Sequence, residues 1–284
     1  MTADDFQELA ALLHGRSGLV LGSDKGYLAE SRLTPVARNW GFKDATALVH
    51  ALVRKEGKGA QAEVLNEVVE AMTTNESFFF RDKTPFDQFR DVILPTMMDA
   101  RSDRKTIRIW SAACSSGQEP YSLAMMMTEL GAKLAGWRIE IVATDLSSAM
   151  LRRAEEGQYS QFEVQRGLPI QLLAKYFEQE GDRWRLRRDV RKMVSFRKHN
   201  LLEDPRTLGK FDVIFCRNVL IYFDQETKAH VLAKIADVLA PDGYLTLGGA
   251  ETVLGISSRF RPVSAQRGLY APIPAAEAAK ARSR

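Results

Sequence analysis

The sequence predicts an α/β protein in which a small all-helical domain precedes a doubly wound parallel sheet with an inserted antiparallel β-ribbon. Three observations predict this fold class. No strand-like alternation interrupts the helical periodicity of residues 1–74. From residue 104, short apolar runs alternate with helical segments, the order typical of a parallel sheet. Between residues 157 and 192, apolar side chains alternate with basic ones, which indicates the ribbon.

The helical domain, residues 1–74, is predicted to contain several short helices. Thr2 and Asp5 have the spacing of a capping box, and apolar side chains recur at helical spacing from Phe6 to Leu13. Further helical patterns cover residues 27–40, 45–54 and 61–72. The domain holds 8 basic and 10 acidic side chains, so its net charge is negative.

A linker with a connecting helix is predicted over residues 75–103, followed by the sheet domain over residues 104–271. Its predicted strands are TIRIWSAA, RIEIVATD, VSFRKHNL, FDVIFCRNVLIYF and YLTLGGA. Helices are expected after the loop CSSGQEP, over SSAMLRRAEE and over QETKAHVLAKIADVLA, the last ending before a turn at PDG. The tail, residues 272–284, is rich in Ala, Pro and charge and is expected to be frayed.

The ribbon is predicted from KYFEQE and DRWRLRRDV, which flank a hairpin turn at Gly181-Asp182. Trp184 and Leu186 alternate with arginines, which predicts one basic face. Residues 151–200 hold 12 basic and 7 acidic side chains, the positive excess of the chain. Such a face could bind nucleic acid, or it could be a solvated or protein-docking surface.

Composition excludes several classes of protein. With 45% hydrophobic and 27% charged residues, the chain is neither disordered nor a coiled coil. The opening MTADDFQELA lacks a signal, and no apolar run approaches the roughly 20 residues of a spanning helix, which predicts a cytoplasmic protein without membrane insertion. Cys114 and Cys216 lie far apart and are expected to be reduced. The four histidines are scattered, so no metal is expected, and a monomer is the default.

A small-residue loop, residues 112–117, lies between the first predicted strand and its helix, where doubly wound folds bind nucleotide-like ligands. Asp145 ends the next strand, where an acid can accept hydrogen bonds from ribose hydroxyls. Together these features predict an adenosine site. The alternative is that the loop is a tight turn and Asp145 a helix N-cap.

The choice of adenosine ligand depends on the glycine count in this loop. Gly117 stands alone where dinucleotide folds have three glycines, so a ligand without phosphate fits better. S-adenosylmethionine is such a ligand, and its positive charges suit a carboxylate, which Glu119 can supply. Alternatively, Glu119 is a first-turn acid that interacts with the helix dipole.

The segment TTNESFFFR, residues 73–81, connects the two predicted domains. Three consecutive phenylalanines must pack, and packing could bring Asn75, Ser77 and Arg81 into a cleft. An aromatic packing cluster with a surface arginine is the alternative.

The segment CRNVLIYF, residues 216–223, ends a buried strand with polar Arg217 and Asn218 at the edge where open α/β sheets bind ligands. Val219 and Leu220 follow Asn218 where amine-directed methyltransferases often carry two prolines, which disfavours amine methylation.

Taken together, the chain resembles the CheR-type chemotaxis receptor glutamate O-methyltransferases. The resemblance rests on the helical first domain and on TTNESFFFR, ACSSGQEPYS, ATDLS, HNLL and FCRNVLIYFD in this order. It implies a Rossmann-like methyltransferase sheet that uses S-adenosylmethionine and releases S-adenosylhomocysteine. The implied cofactor-binding residues are Asn75, Ser77, Arg81, Glu119, Asp145, Asn200, Leu201, Arg217 and Asn218. The implied catalytic residues are Arg81 and Tyr222. Gln118 departs from the family pattern, which often has an acid there.

The resemblance implies a chemoreceptor partner, whose cytoplasmic helical bundle carries the methylated glutamates and docks on a basic face of the first domain. The candidate clusters are Arg32, Arg38 and Lys43, or Arg54, Lys55 and Lys58. In some members the ribbon grips a receptor tether peptide. The turn at residues 180–182 is shorter here, which favours tether-independent action.

A glutamate carboxylate is ionised at pH 7, because its pKa is about 4.3, so the reaction needs no general base. We expect Arg81 to orient the substrate carboxylate and the Tyr222 hydroxyl to fix its second oxygen or the transferring methyl. Two alternatives stay open, a methyltransferase that acts on nucleic acid through residues 183–192 and a non-catalytic adaptor that only binds the cofactor.

Overall fold

The computed structural model describes residues 1–54 and 61–273. It separates into two compact units, one formed by residues 1–74 with 222–227 and the other by residues 75–221 with those from 228 onward. None of the helices in the described ranges combines the length and apolar content that a bilayer crossing needs. Lys55, Lys58 and the predicted tail from residue 274 lie outside the described residues.

The first unit is helical, as predicted. Its helices are α1 (Ala3–Ser17), α2 (Gly26–Asn39), α3 (Ala45–Val53) and α4 (Gln61–Met72). The predicted capping box is present, because Thr2 and Asp5 exchange hydrogen bonds between side chain and main chain at the start of α1. Leu9, Leu33 and Leu48 are fully buried and form part of the core between the helices.

The second unit begins with a helical segment and continues as alternating strands and helices. The helical segment comprises α5 (Thr84–Gln88), a π-helical turn (Phe89–Ile93) and α6 (Leu94–Ala100). The following elements are β1 (Thr106–Ala112), α7 (Gln118–Leu130), β2 (Arg138–Asp145), α8 (Ser148–Glu156), β3 (Gln158–Ser160), α9 (Gln161–Gln165), α10 (Ile170–Tyr176), β4 (Phe177–Glu180), β5 (Arg183–Leu186), α11 (Arg188–Arg191), β6 (Val194–Lys198), β7 (Phe211–Cys216), α12 (Gln225–Val238), β8 (Leu239–Leu247), β9 (Phe260–Pro262) and β10 (Leu269–Pro272).

Seven strands form the main sheet, in the order β6-β2-β1-β7-β8-β10-β9. The five strands from β6 to β8 are parallel, and β10 is antiparallel to both of its neighbours. This confirms the predicted doubly wound sheet, although β9 and β10 were not predicted. Ala112 at the end of β1 pairs with Thr144 on β2 and with Cys216 on β7. The carboxyl ends of these three strands therefore meet at one edge.

The predicted turn at Pro241-Asp242-Gly243 is wrong, since these residues lie inside β8. The pairing of β8 with β7 shifts from Leu239 opposite Phe211 to Tyr244 opposite Val213, so the intervening residues form a bulge. A bulge accommodates a proline because it does not need that residue's missing N–H. The preceding helix ends at Val238, two residues before the predicted end, because buried Leu239 already pairs in the sheet.

The insertion forms a second, antiparallel sheet in the order β3-β5-β4, which confirms the predicted antiparallel insertion. Its basic strand lies against an acidic one. Arg185 pairs opposite Glu178 and lies 3.3 Å from the carboxylate of Glu180, while Arg187 lies 3.2 Å from that of Glu178. Part of the predicted basic face is therefore neutralised within the hairpin, which weakens the argument for nucleic-acid binding.

Candidate functional site

The loop after β1 is held in a tight, unusual conformation. Ala113, Ser115 and Gly117 have φ angles of 57°, 51° and 91°, in the left-handed region. A Cβ atom on Gly117 would lie 2.9 Å from the Cβ of Ala154 and 3.1 Å from the ring of Tyr121, so only glycine fits there. The backbone of this loop is thereby fixed at the sheet edge where open α/β folds bind ligands.

Asp145 at the end of β2 joins two loops of this edge. Its carboxylate accepts hydrogen bonds from the main-chain nitrogens of Ser115 and Ser147, each at 2.8 Å. The N-cap of α8 is Ser147, whose hydroxyl accepts from the nitrogen of Met150. The alternative of Asp145 as helix N-cap is therefore wrong.

Glu119 and Arg217 form a buried ion pair across the carboxyl ends of β1 and β7. One Glu119 oxygen lies 2.8 Å from Nη1 of Arg217, and the other accepts from the hydroxyl of Ser111 at 2.8 Å. Nη2 of Arg217 donates to the main-chain oxygen of Arg81 at 2.7 Å and to Asp82 at 2.8 Å. Glu119 is therefore more than a first-turn acid, because it holds the arginine that attaches residues 81–82 to the sheet.

The segment of residues 73–81 packs through its aromatic rings. Phe79 is fully buried and makes edge-to-face contacts with Tyr159 and Phe177, at centroid distances of 5.0 and 5.6 Å. Nη1 of Arg81 donates to the main-chain oxygen of Glu76 at 2.9 Å, and its guanidinium lies 5.3 Å from the centroid of the Phe78 ring. The aromatic packing and the placement of Arg81 beside the sheet edge thus occur together.

Arg166 and Gly167 of the insertion, which sequence reasoning missed, clamp this segment. Nη2 of Arg166 lies 2.6 Å from the Glu76 carboxylate, and its guanidinium lies 4.4 Å from the Phe78 centroid. The hydrogen bond from Arg166 lowers the pKa of Glu76. A Cβ on Gly167, which has a φ of 85°, would lie 2.1 Å from the main-chain oxygen of Phe79. The motif RGLP, residues 166–169, is the sequence signal that could have indicated this contact.

Contacts at the same edge place Asn75, Asn218 and the pair Asn200 and Leu201. The main-chain oxygen of Asn75 accepts from the Ser115 hydroxyl at 3.3 Å. Beyond β6, the main-chain nitrogen of His199 donates to the oxygen of Asp145 at 3.1 Å, which places Asn200 and Leu201 directly after that contact. Ser77 and Asn218 are half-buried.

Tyr222 is grouped with the helical unit. It ends a 3-10 turn that starts at Leu220, and its main-chain oxygen accepts from the nitrogen of Val20 at 2.9 Å. Among the predicted site residues it is the one that does not lie in the second unit.

Glu251, which the sequence did not single out, lies after β8 and is 8% exposed. Its Oε1 accepts from the main-chain nitrogens of Val219, Leu220 and Ile221, at 2.9, 2.7 and 3.3 Å. Its Oε2 accepts from those of Asn218 and Gly248, at 2.8 and 2.7 Å. The loop that follows Arg217 is thus bound to one carboxylate.

Both cysteines lie in this unit and are buried, and burial raises the pKa of each thiol, so both thiols are protonated at neutral pH. In the helical unit the structure brings His50 beside Asp5 and Glu8, with potential ligand atoms within 4.8 Å of one another. The scatter of histidines along the sequence did not predict this cluster. The Asp5 carboxylate lies 2.5 Å from His50 and caps α1, so this contact joins α1 to α3.

Two protein families match the chain. Residues 4–73 match the family described as "CheR methyltransferase, all-alpha domain", and residues 75–269 match "CheR methyltransferase, SAM binding domain". The chain is 42% identical over 271 residues to Chemotaxis protein methyltransferase 1 of Pseudomonas aeruginosa, a match covering 93% of this chain and 96% of the relative. It is 39% identical over 269 residues to Chemotaxis protein methyltransferase Cher2 of Pseudomonas putida, covering 93% and 96%. It is 39% identical over 268 residues to Chemotaxis protein methyltransferase 1 of Vibrio cholerae, covering 93% and 95%.

Proposed function

The chain belongs to the CheR methyltransferase family, and we propose that it methylates glutamate side chains on the cytoplasmic helical bundle of chemoreceptors. The products are glutamate methyl esters and S-adenosylhomocysteine, and the reaction would serve sensory adaptation in chemotaxis. The observation that carries this proposal is the ion pair of Glu119 and Arg217, which fastens the segment carrying Arg81 to the carboxyl edge of the sheet.

The residues at this edge fit S-adenosylmethionine, which would supply a methyl group on a positively charged sulfur that departs as a neutral thioether. The donor set combines carboxylates, amides, hydroxyls and guanidinium groups, which match the ammonium, carboxylate and ribose hydroxyls of the cofactor. Nε of Arg217 is buried and makes no hydrogen bond among the described residues, so it remains available to an anionic group such as the cofactor carboxylate. The residues proposed to hold the cofactor are Asn75, Ser77, Arg81, Glu119, Asp145, Asn200, Leu201, Arg217 and Asn218.

Methyl transfer to a carboxylate requires the protein to position the substrate and to exclude water. The substrate carboxylate is already ionised at neutral pH, so no proton has to be removed before attack. A carboxylate that loses its hydration becomes more reactive toward a cationic methyl donor, provided that its oxygen approaches in line. The protein therefore has to hold one oxygen of the carboxylate toward the methyl group.

We assign this positioning to Arg81 and Tyr222. Arg81 is half-buried, and a guanidinium can pair with a carboxylate through two parallel hydrogen bonds. The Tyr222 hydroxyl would hold the second carboxylate oxygen or the transferring methyl. The Tyr222 assignment rests on the family motif CRNVLIYF alone.

Receptor docking is assigned to the helical unit, residues 1–74. Among the described basic residues predicted for its docking face, Arg38, Lys43 and Arg54 are exposed. Arg32 instead donates to the main-chain oxygens of Met72 and Thr73, at 3.1 and 2.9 Å, and serves the fold. We propose Arg38 and Lys43 as contacts to an acidic receptor helix.

The test is transfer of a labelled methyl group from S-adenosylmethionine to a purified chemoreceptor cytoplasmic fragment, with an RNA sample in parallel. We expect label on the receptor alone, released as methanol by mild base because methyl esters hydrolyse readily. A receptor fragment with its glutamates replaced by alanine is the matched control. Base-stable label, label on RNA, or cofactor binding without transfer would contradict the proposal.

A further inference from the structure

We propose that Glu251 is a positioning residue for S-adenosylmethionine binding and that it acts by fixing the main chain at Asn218. The inference rests on the proposed function, in which Asn218 contacts the cofactor. Glu251 lies 33 residues away along the chain and needs no contact with the ligand.

The loop of residues 218–221 presents four successive main-chain N–H groups to the Glu251 carboxylate. Successive N–H groups that converge in this way form a concave anion site, and here the anion belongs to the protein itself. Without an acceptor these half-buried donors would repel one another and lose their hydrogen bonds. The loop conformation therefore depends on a negative charge at this point.

Asn218 has a φ of 57°, in the left-handed region that a non-glycine residue rarely adopts. The hydrogen bond of 2.8 Å from its nitrogen to Oε2 of Glu251 stabilises that conformation. The φ angle determines the direction of the side chain, so Glu251 controls where the Asn218 amide points.

Gly248 lies directly against both the Glu251 carboxylate and the Asn218 side-chain amide. A Cβ on Gly248 would lie 2.7 Å from Oε2 of Glu251 and 2.8 Å from Nδ2 of Asn218. The nitrogen of Gly248 also donates to Oε2 at 2.7 Å. Any side chain at position 248 would therefore push the carboxylate or the asparagine amide away.

Glu251→Gln is the sharpest variant, because it keeps the shape of the side chain and removes the charge. An amide has a single acceptor oxygen, so if Oε1 keeps its three donors, the new NH₂ group faces the N–H groups of Asn218 and Gly248. We expect the Kd for S-adenosylhomocysteine, measured by titration calorimetry, to rise about tenfold, as for loss of a charge-assisted hydrogen bond. Glu156→Gln, on the exposed end of α8, is the matched control and should leave the Kd unchanged.

A double-mutant cycle separates positioning from general destabilisation. If Glu251 acts through Asn218, then Asn218→Ala and the double variant Glu251→Gln/Asn218→Ala should have the same Kd, because the side chain being positioned is already gone. If the losses of affinity in the two single variants add up in the double variant, the proposal is overturned. An unchanged Kd in Glu251→Gln, when Asn218→Ala weakens binding, would overturn the positioning role alone. If Asn218→Ala leaves the Kd unchanged, both the positioning role of Glu251 and the assignment of Asn218 as a cofactor contact are overturned.

If Glu251→Gln does not fold, as judged by circular dichroism and thermal unfolding, Glu251→Asp carries the test. This variant keeps the charge but draws the carboxylate back from the nitrogens of residues 218–221 without touching Asn218, so a raised Kd for S-adenosylhomocysteine supports the proposal and an unchanged Kd overturns it.

Discussion

Arg217 shows how one buried side chain can hold a site together. Its side chain is 1% exposed, and its two terminal nitrogens, Nη1 and Nη2, pair with Glu119, Asp82 and the main chain of Arg81. A buried ion pair contributes little net stability, since both charges lose their hydration, but removal of one partner leaves an uncompensated charge. The pair therefore makes the placement of residues 81–82 specific, which is what a reaction that depends on positioning requires.

Arg81 is expected to act on transfer far more than on cofactor affinity. Arg81→Ala removes the paired hydrogen bonds proposed for the substrate carboxylate and should lower kcat/KM for the receptor by roughly 10- to 100-fold. Arg81→Lys restores the charge without the two parallel donors and should recover only part of this loss. Methyl transfer and the Kd for S-adenosylhomocysteine should be measured on the same preparations. Equal losses of transfer and of affinity would show that Arg81 is a cofactor ligand only.

His199 makes the stability of the second unit depend on pH. Its ring is buried, Nε2 has no hydrogen bond among the described residues, and burial lowers the pKa below the ordinary value of 6.5. The unfolded chain therefore binds the proton more readily than the folded one. This contribution to stability is complete above pH 6.5 and is lost as the pH falls toward the folded-state pKa.

The corresponding measurement is urea unfolding at pH 7.5 and 5.5. The wild type should lose more stability over this interval than His199→Phe, which cannot take up a proton there. The same change with pH in both proteins would exclude His199 as the source. Asn200 follows directly, so the affinity for S-adenosylhomocysteine should fall in parallel in the wild type.

Among the elements, the contact between the insertion and the segment of residues 76–80 decides whether Arg81 is presented correctly. Gly167 has a left-handed φ, and an added Cβ would lie 2.1 Å from the oxygen of Phe79. Gly181 in the β4–β5 turn also has a left-handed φ, of 65°, but an added Cβ would meet nothing within 4 Å. Comparing alanine substitutions at the two glycines therefore separates the energetic cost of the left-handed φ from that of the steric clash.

We expect Gly167→Ala to destabilise the protein more than Gly181→Ala, by about 1–3 kcal/mol, since the clash is with the main chain and cannot be relieved by a rotamer change. Urea unfolding measures this difference, and hydrogen exchange of residues 76–82 should accelerate only in Gly167→Ala. Equal effects of the two substitutions would show that the insertion does not clamp this segment.

The sequence predicted elements well where a local pattern decides them and less well where distant residues do. The capping box of α1 and the strand end at Asp145 are local, and they were predicted. The predicted strand FDVIFCRNVLIYF was too long, because β7 ends at Cys216 and a 3-10 turn follows at Leu220–Tyr222. The bulge in β8 could not be predicted, because it depends on the register with β7.

The same limit applies to the site. Polar residues at strand ends predicted the position of the site at the sheet edge. Glu251 and Arg166 were missed because their importance comes from contacts with residues 33 and 90 positions away. Such contacts leave no spacing pattern in a single sequence, whereas the resemblance to a family drew attention to the residues expected to contact the ligand.

For the whole molecule, the distribution of charge bears on receptor binding. The helical domain, residues 1–74, carries a net negative charge, and residues 151–200 carry a net positive one. Overall charge would thus assign an acidic partner to the insertion, whereas the proposed function assigns it to the helical unit. The ribbon arginines 185 and 187 are paired with glutamates of β4, which reduces the charge that the insertion offers.

Two charge-matched double variants distinguish these surfaces. Arg38→Glu/Lys43→Glu alters exposed positions of the helical unit, and Arg183→Glu/Arg188→Glu makes the same change in charge at exposed positions of the insertion. We expect the first to raise the KM for a receptor fragment about 5- to 10-fold at low salt, with an effect that shrinks as ionic strength rises, since exposed charges are screened. Neither variant should alter the Kd for S-adenosylhomocysteine. A larger KM change in the insertion variant would move receptor docking from the helical unit to the ribbon, because total charge changes equally in both proteins and only the location differs.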